Sequence, residues 1–282
     1  MTPSEVLDAV GAELGVDLTL EGRCPGGEVG AYFARGGHGD RVVFKWFEQP
    51  ASPAEFVGAV SRVERLRVTG YPAPRHEVVV LENTVVVLQE AVGGEWRDEV
   101  DVAFLELILQ LNERQAGCGD AGDAWTDYIA ATLVDGADGY CIHDTLRKHS
   151  PETSRLLSRI REIGAMVSGL PSGDIVHVDF HHRNMLRTGD ELVAVIDWEG
   201  CKDGDRMFDL VTFAFGLPVA ARDATVDSRL REYLLRNTDS RALAAYVAHM
   251  ALRRIDWTIR HHNAVEAPTL IALADDYLAA LA

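Results

Sequence analysis

The most informative segment of the sequence is His177-Val178-Asp179-Phe180-His181-His182-Arg183-Asn184. Asp197 follows it at the end of the apolar run Val195-Ile196. An apolar run also precedes the stretch. The two runs predict a strand, a loop and a second strand in a hairpin, which would bring Asp179, Asn184 and Asp197 to one edge. An aspartate, an asparagine and a second aspartate in this order are what phosphoryl transfer from Mg·ATP requires.

Each of the three side chains has a predicted part in that chemistry. Asp179 would orient a substrate hydroxyl and take its proton, while Asn184 and Asp197 would present hard oxygens to a Mg²⁺ ion that bridges the phosphates. The loop pattern by itself also arises by chance. The first part of the chain provides an independent test, because a kinase also needs a glycine turn, a lysine on a strand and a carboxylate on a helix.

The first part of the chain supplies these features in order. A turn with Gly26, Gly27 and Gly30 would cover the phosphates, although such a turn also fits an ordinary hairpin. Lys45 is the only lysine before residue 148 and lies inside an apolar strand, where an unpaired charge is costly. We therefore expect Lys45 to bind phosphate and to have an acidic partner.

A helix predicted over residues 53–67 offers two candidates for that partner, Glu55 near its start and Glu64 near its end. We prefer Glu64, because its distance from Lys45 along the chain leaves room for a loop and the length of the helix. Glu55 instead complements the positive N-terminus of the helix.

The order of the predicted elements indicates the fold class. A β-meander with two helices fills the first third of the chain, and helices with two short strands fill the rest. We predict an α+β fold with a nucleotide-binding lobe over residues 1–92 and a hinge at about 89–94. A larger helical lobe over residues 93–282 would carry the catalytic loop, the metal site and the acceptor pocket.

Composition limits the partners. The 282 residues include 27 Lys+Arg and 44 Asp+Glu, a formal charge of −17, which argues against nucleic acid and anionic membranes. The four cysteines are scattered, and the N-terminus has no basic region followed by an apolar run. We expect a reduced, cytoplasmic protein without a membrane span. The sequence does not distinguish a monomer from a homodimer.

The chain resembles the aminoglycoside phosphotransferase and choline kinase family, whose catalytic loop reads approximately HGDxHxxN and whose metal strand reads IDW or IDF before acidic residues. The resemblance covers most of the chain and implies a bilobal, protein-kinase-like fold. It implies that Asp179 is the catalytic base and that Asn184 and Asp197 bind Mg²⁺. It also implies that Lys45 holds the α- and β-phosphates of ATP.

The resemblance implies further roles for flanking residues. His177 and His181 would buttress the catalytic loop. The pairs Gly204-Asp205 and Asp209-Leu210 match the GD…DL tail, whose acids hold that loop in the family. In the segment Gln89-Glu90-Ala91, the first residue's C=O and the last residue's N–H would bind adenine.

The chain also departs from the family pattern. Val178 stands where the family has glycine, and His182 and Arg183 stand where it has proline and glycine. A protein-kinase DFG or APE segment does not occur in the sequence, which disfavours a protein substrate held by an activation loop. We expect a small hydroxylated molecule as the acceptor.

An acidic segment suggests the kind of acceptor. Residues 95–144 contain twelve acidic side chains and two arginines, and in the family this part builds much of the acceptor pocket. Carboxylates there would attract a cation, although a solvated acidic face has the same composition. The candidate contacts are Asp123, Asp127, Asp135, Asp138, Asp144, Asp256 and Glu266. We expect a cationic antibiotic, an aminoglycoside or a basic cyclic peptide of the viomycin and capreomycin type, so that the enzyme would confer resistance.

Three other functions stay open on the sequence alone. A metabolic kinase acting on choline, homoserine or a sugar would use the same ATP machinery, and a non-catalytic regulator would bind nucleotide without transferring phosphate. The histidines around Asp179 also fit a metal hydrolase, which would leave Lys45 and the glycine turn unexplained. The sequence does not distinguish ATP from GTP as the donor.

Overall fold

The structure, a computed structural model, describes residues 1–25, 30–37, 39–218 and 223–281. The chain divides into one compact unit of Met1–Trp96 with Asn184–Cys201 and a second of Arg97–Arg183 with Lys202–Ala282. The segment with Asn184 and Asp197 therefore belongs to the same unit as Lys45, and Asp179 belongs to the other. The lobe boundary expected at residues 92 and 93 stays a prediction.

The first unit is built from antiparallel strands and two helices. Its elements are α1 (Pro3–Leu14), β1 (Leu18–Arg23), β2 (Tyr32–Gly36), β3 (Arg41–Glu48), α2 (Pro53–Arg67), β4 (His76–Leu81), β5 (Thr84–Glu90), β7 (Met185–Thr188) and β8 (Glu191–Val195). The first five strands form one sheet in the order β1-β2-β3-β5-β4. A hairpin of β7 and β8 forms a separate two-stranded sheet. The predicted hairpin between the apolar run before His177 and the run that ends at Ile196 is wrong, because the second run pairs with β7.

The sheet places Lys45 in its middle strand. β3 pairs with β5 so that Lys45 lies opposite Val87, and β5 pairs on its other edge with β4. Because side chains alternate across a strand, Phe44 and Leu88 lie on the opposite face from Lys45. That face packs against Val6, Leu7 and Val10 of α1, in one buried cluster. The cluster fixes the strand that holds the lysine.

The second unit is mainly helical. Its elements are α3 (Val102–Glu113), α4 (Ala124–Asp135), α5 (His143–His149), α6 (Pro151–Ala165), β6 (Asp174–Val176), β9 (Lys202–Gly204), α7 (Met207–Gly216), α8 (Ala224–Asn237), α9 (Ser240–His261) and α10 (Ala267–Ala280). The short strands β6 and β9 pair with each other, and a 3₁₀ turn spans His182–Asn184. The catalytic loop predicted from the sequence starts where β6 ends.

The sheet and the helices together confirm the predicted α+β class. In the described residues, no helix combines the length and the apolar character needed to cross a bilayer. Sequence periodicity did not indicate α7, because the whole helix is buried and has no polar face. This helix carries Asp209, whose carboxylate contacts the loop after β6.

Gly204 in β9 provides a test of the packing in the second unit. A methyl group added at this glycine would lie 2.5 Å from the ring of Trp125, which is fully buried. We predict that Gly204→Ala lowers the free energy of unfolding by about 1–3 kcal/mol through overpacking, measured by urea denaturation. Gly200→Ala is the matched control, since no atom lies within 4 Å of its added methyl group. Equal stabilities of the two variants would contradict the packing described.

Candidate active site

The loop after β6 is held by a buried carboxylate from α7. The Asp209 side chain accepts the backbone N–H groups of His177 at 2.7 Å and Val178 at 2.9 Å. A third donor, the side-chain amide of Gln115, reaches it at 2.7 Å. Burial raises the pKa of Asp209 to about 7, while these donors oppose the rise by favouring the ionised form. Asp209 thus fixes the backbone immediately before Asp179.

Asp205, predicted with Asp209 to hold the loop, has a different set of partners. It accepts the Met207 N–H at 2.9 Å and the Tyr246 hydroxyl at 2.9 Å. The same hydroxyl accepts the indole N–H of Trp125 at 3.2 Å. Asp205 therefore caps α7 and joins it to α9, and it acts on the loop only by positioning the helix that carries Asp209.

Asp179 is surrounded by cationic and imidazole groups of its own unit. Its Oδ1 accepts a hydrogen bond from Arg253 of α9 at 2.8 Å, and its Oδ2 lies 3.4 Å from Nε2 of His181. Its backbone N–H donates to Nδ1 of His177 at 3.2 Å. Burial of the carboxylate raises its pKa, but Arg253 and the two histidines outweigh burial and hold the pKa of Asp179 well below the usual range. Asp179 is ionised at neutral pH.

The structure therefore brings His177 and His181 next to Asp179, as the family resemblance implies. Their buttressing roles and the role of Asp179 as base stay predictions. The neighbouring His182 is turned to another group, with Nε2 3.2 Å from the Asp98 carboxylate. Within the described residues, no set of three or more His, Cys, Asp or Glu side chains is arranged to hold a metal ion.

Lys45 lies beside two carboxylates in the first unit. Its ammonium donates to Asp197 and lies 3.1 Å from Glu199, whose side chain is 11% exposed. Burial lowers the pKa of Lys45, but the charges of Glu199 and Asp197 outweigh burial and raise it well above its ordinary value. Burial and the adjacent Asp197 charge raise the pKa of Glu199. The cluster of Lys45, Asp197 and Glu199 therefore contains two carboxyl groups and one amine.

The preference for Glu64 as the partner of Lys45 is wrong in this structure. Glu64 is exposed and pairs with Arg67 at 2.6 Å, one turn further along α2. The buried face of the helix carries Ala59, Val63 and Leu66, and Glu64 follows Val63 by about 100° around the axis. Glu64 therefore points away from the sheet. The other candidate, Glu55, is also exposed.

Glu199, which the sequence reasoning missed, takes the place next to Lys45. It follows Asp197 by two residues in the segment Ile196-Asp197-Trp198-Glu199, and the acidic character of this segment was its only signal. The indole N–H of Trp198 donates to the Val195 carbonyl at 2.8 Å and its ring packs edge-on against Tyr71. This anchor holds the short turn from which both carboxylates project.

The donor set near Lys45 fits the Mg²⁺ ion that the family implies. Asn184 is buried, and its backbone carbonyl accepts the N–H of Ile196 at 2.9 Å, which ties it to the residue before Asp197. Amide and carboxylate oxygens are the hard ligands that Mg²⁺ prefers. Asp197 and Glu199 share the single ammonium of Lys45, and a bound cation would favour the ionised form of both carboxylates. Asn184 and Asp197 stay the predicted ligands, with Glu199 as a third oxygen donor.

The segment predicted to bind adenine is partly occupied by the protein. The Ala91 N–H, expected to be a donor to adenine, donates to the Arg41 carbonyl at 3.1 Å because β3 extends to that residue. The Glu90 carboxylate accepts the N–H of Arg75 at 3.3 Å, and Gln89 is buried in β5. The Ala91 assignment is therefore wrong for this strand register. Gly30 is described, whereas Gly26 and Gly27 lie outside the described residues.

Three of the predicted substrate carboxylates are already paired with cations of the protein. Asp256 is fully buried and accepts two hydrogen bonds from Arg260, at 2.8 and 2.9 Å. Asp144 pairs with Arg147 and with Lys148, and Glu266 lies 3.8 Å from Arg254. Asp256 in particular is a structural residue, because its charge is both buried and neutralised.

The remaining predicted carboxylates, Asp123, Asp127, Asp135 and Asp138, are exposed. Asp135 and Asp138 line an open groove of about 710 Å³ together with His143, Asp144, Arg147 and Arg161. The loop between α4 and α5 that forms one wall also contains Tyr140, whose ring lies 5.8 Å from the Arg253 guanidinium. Through Arg253, this loop is connected to Asp179.

Asp209→Asn tests the support of the loop. The amide of the new side chain would face N–H donors, which leaves one or two of them without an acceptor at a cost of about 1–3 kcal/mol each. We predict that the variant loses about 2–4 kcal/mol of unfolding free energy in urea titrations. Asp190→Asn, at an exposed turn, is the control and should stay within about 0.5 kcal/mol of the parent protein. An unchanged stability of Asp209→Asn would show that the loop is held by other groups.

Comparisons with known structures place this fold among antibiotic and small-molecule kinases. Aminoglycoside phosphotransferase APH(4)-Ia is 18% identical, with all of both chains covered and a TM-score of 0.69. Amicoumacin kinase hAmiN, in complex with AMP-PNP, Ca²⁺ and Ami, is 14% identical over 100% of this chain and 92% of that one, with a TM-score of 0.60. A microcompartment-associated aminopropanol kinase is 19% identical over 94% and 93%, with a TM-score of 0.60. These similarities confirm the predicted kinase-like fold.

A comparison with curated protein sequences gives no match. The model of the phosphotransferase enzyme family (APH), in contrast, matches residues 25–246, which is more than half of the chain and includes both the Lys45 group and the Asp179 loop. The family and the phosphotransferase activity predicted from the sequence are thereby confirmed. The chain belongs to the phosphotransferase enzyme family.

Proposed function

We propose that the protein is an ATP- and Mg²⁺-dependent small-molecule kinase that phosphorylates a hydroxyl of a cationic antibiotic and so confers resistance to it. The observation that carries the proposal is the ionised Asp179 carboxylate, held by Arg253 on a loop that Asp209 fixes. Lys45, Asn184 and Asp197 supply the groups that would bind phosphate and Mg²⁺. Asp179 favours an enzyme over a non-catalytic nucleotide-binding protein, because such a protein has no need of a base.

In the proposed mechanism, the Asp179 carboxylate accepts a hydrogen bond from the acceptor hydroxyl and orients its oxygen toward the γ-phosphorus of ATP. The oxygen–phosphorus bond forms as the bond to the ADP oxygen breaks, and the hydroxyl proton passes to Asp179. Because its pKa is low, Asp179 takes the proton late and serves mainly to orient the hydroxyl. Lys45 binds phosphate oxygens. Mg²⁺, held by Asn184 and Asp197, would neutralise phosphate charge when bound.

The chemistry of the acceptor is inferred from charge and from the structural neighbours. The formal charge of −17 and the acidic segment 95–144 favour a cation. Structures of APH(4)-Ia hold ADP or AMP-PNP with hygromycin B, which supports a nucleotide donor and an antibiotic acceptor here. We place an aminoglycoside or a basic cyclic peptide of the viomycin and capreomycin type in the groove beside Asp135 and Asp138. The aminopropanol kinase neighbour makes a small amino alcohol the main alternative.

The first prediction concerns the base. Purified protein incubated with Mg·ATP should add a phosphate to at least one member of a panel of aminoglycosides and basic cyclic peptides, read by mass spectrometry. Asp179→Asn should lower kcat by a factor on the order of 10²–10⁴, with an unchanged thermal midpoint. Full activity of that variant would contradict the assignment of the base. Turnover of choline, homoserine or a neutral sugar alone would contradict the cationic antibiotic as acceptor, and a parallel reaction with GTP determines the donor.

The second prediction concerns the partner of Lys45. Glu199→Gln should lower kcat/KM for ATP by about 10–100-fold, because a hydrogen bond between charged groups contributes about 1.5–3 kcal/mol. Glu64→Gln, which removes the carboxylate preferred from the sequence, should change it by less than about twofold, since an exposed pair contributes little. Steady-state kinetics at varied ATP measure both. The reverse order of effects would restore Glu64 as the partner.

The third prediction concerns the groove. The double substitution Asp135→Asn/Asp138→Asn should raise KM for the cationic acceptor by about tenfold and leave KM for ATP unchanged, because it removes two charges from the acceptor side only. Asp190→Asn is the control, as an exposed carboxylate that does not line this groove and is not a candidate contact. An unchanged KM for the acceptor would remove the groove from the binding site.

A further inference from the structure

Val178 adopts a backbone conformation that its side chain disfavours. Its φ angle is +73°, in the left-handed region, where a β-branched residue is strained by about 1–2 kcal/mol and glycine is not. Residues in such conformations persist only where the surrounding structure holds them. The peptide that follows Val178 leads directly into Asp179, so the same conformation sets the position of the carboxylate.

Two side chains hold this residue from opposite ends. The Val178 N–H donates to Oδ1 of Asp209 at 2.9 Å, and the Val178 carbonyl accepts from Nη1 of Arg253 at 2.7 Å. The second guanidinium nitrogen, Nη2, donates to Oδ1 of Asp179 at 2.8 Å. Arg253 therefore bridges the strained residue and the carboxylate that follows it. A lysine ammonium has a single nitrogen and does not reproduce the planar pair of donor nitrogens that makes these two contacts.

The bridge distinguishes the two carboxylate oxygens of Asp179. Oδ1 accepts from Arg253, whereas Oδ2 lies 3.4 Å from His181. A carboxylate whose Oδ1 is held in this way cannot rotate freely, so Oδ2 keeps a constant direction. Arg253 is itself packed beside the ring of Tyr140, at 5.8 Å, which limits its own movement.

The charged groups around Asp179 come from three elements. They are His177 and His181 of its own loop, Asp209 of α7, and Arg253 and Arg254 of α9. Arg253 is the cation in direct contact, whereas Arg254 pairs with Glu266 at 3.8 Å. The Asp209 charge and burial both disfavour the ionised form of Asp179. Without the Arg253 charge, they would raise the pKa of Asp179.

We propose that Arg253 is a positioning residue that holds the left-handed turn at Val178 and presents Oδ2 of Asp179 to the acceptor hydroxyl. The proposal rests on the proposed function, in which Asp179 is the base. It assigns to α9 a part in phosphoryl transfer without contact with either substrate. It also explains how this chain tolerates valine at a position whose backbone conformation suits glycine.

The test compares Arg253→Met, Arg253→Lys and, as a control on the exposed N-terminal turn of the same helix, Arg241→Met. Arg253→Met should lower kcat by about 10–100-fold, the loss expected for hydrogen bonds between charged groups, with KM for ATP within about twofold. Arg253→Lys should lose less activity. Arg241→Met should match the parent enzyme. Thermal midpoints show whether each variant is folded.

Two further readouts separate positioning from a general loss of structure. In Arg253→Met the acid limb of the kcat profile should move to higher pH, because Asp179 then protonates more readily, while in Arg253→Lys it should move less. Adding Val178→Gly to Arg253→Met should restore part of kcat, since glycine keeps the turn without the bridge. The acid limb should stay displaced in this double variant, because the missing charge is not replaced.

The outcomes are distinct. Reduced kcat with a displaced acid limb and rescue by glycine supports the proposal. A kcat of Arg253→Met within twofold of the parent enzyme, or an unmoved acid limb without glycine rescue, overturns it. If Arg253→Met does not fold, the same criteria apply to Arg253→Lys. A parent enzyme that transfers no phosphate to any acceptor overturns the proposed function instead, which keeps the two failures apart.

Discussion

The Asp209 carboxylate is the contact on which the arrangement around Asp179 depends. It is buried in α7 and accepts the N–H groups of His177 and Val178, the two residues that lead to Asp179. Without an acceptor at that point, two buried donors would lack partners and the left-handed turn at Val178 would lose one of its two supports. Residues 207–215 of α7 are buried, so the Asp209 carboxylate meets these donors inside the unit.

The ion pairs within the protein show which of its acidic residues are already neutralised. Many of the acids have a cation or an N–H donor of their own, as Asp256 with Arg260 and Asp179 with Arg253 show. The Lys45 group is different, because two carboxylates share one ammonium there. In the proposed function, a metal ion at that point would favour the ionised form of both carboxylates, and exposed acids such as Asp135 would attract a cationic acceptor. In the proposed function, the acidic residues are divided among structural pairs, a metal ion and a cationic substrate.

The sequence predicts those parts of the fold and site that depend on local spacing. The strand before Asp197 is predicted from its apolar run, but its partner is β7, which directly follows Asn184, and not the strand before His177. The partner of Lys45 depends on the rotation of α2 about its axis, and the partner of the Ala91 N–H depends on where β3 begins. Residue type alone predicts neither the rotation of the helix nor the limit of the strand. Arg253 lies 74 residues from Asp179, and no local pattern distinguishes it from Arg254.

The proposed function is the transfer of the γ-phosphoryl group of ATP to a hydroxyl of a cationic small molecule. It is tested most directly by incubating the protein with Mg²⁺, ATP labelled with ¹⁸O in the γ-phosphoryl group and a panel of cationic antibiotics, followed by mass spectrometry of the products. The expected product is an antibiotic phosphate ester that carries the labelled non-bridging oxygens. Label found only in inorganic phosphate, or only in the ester of an uncharged acceptor, would contradict it.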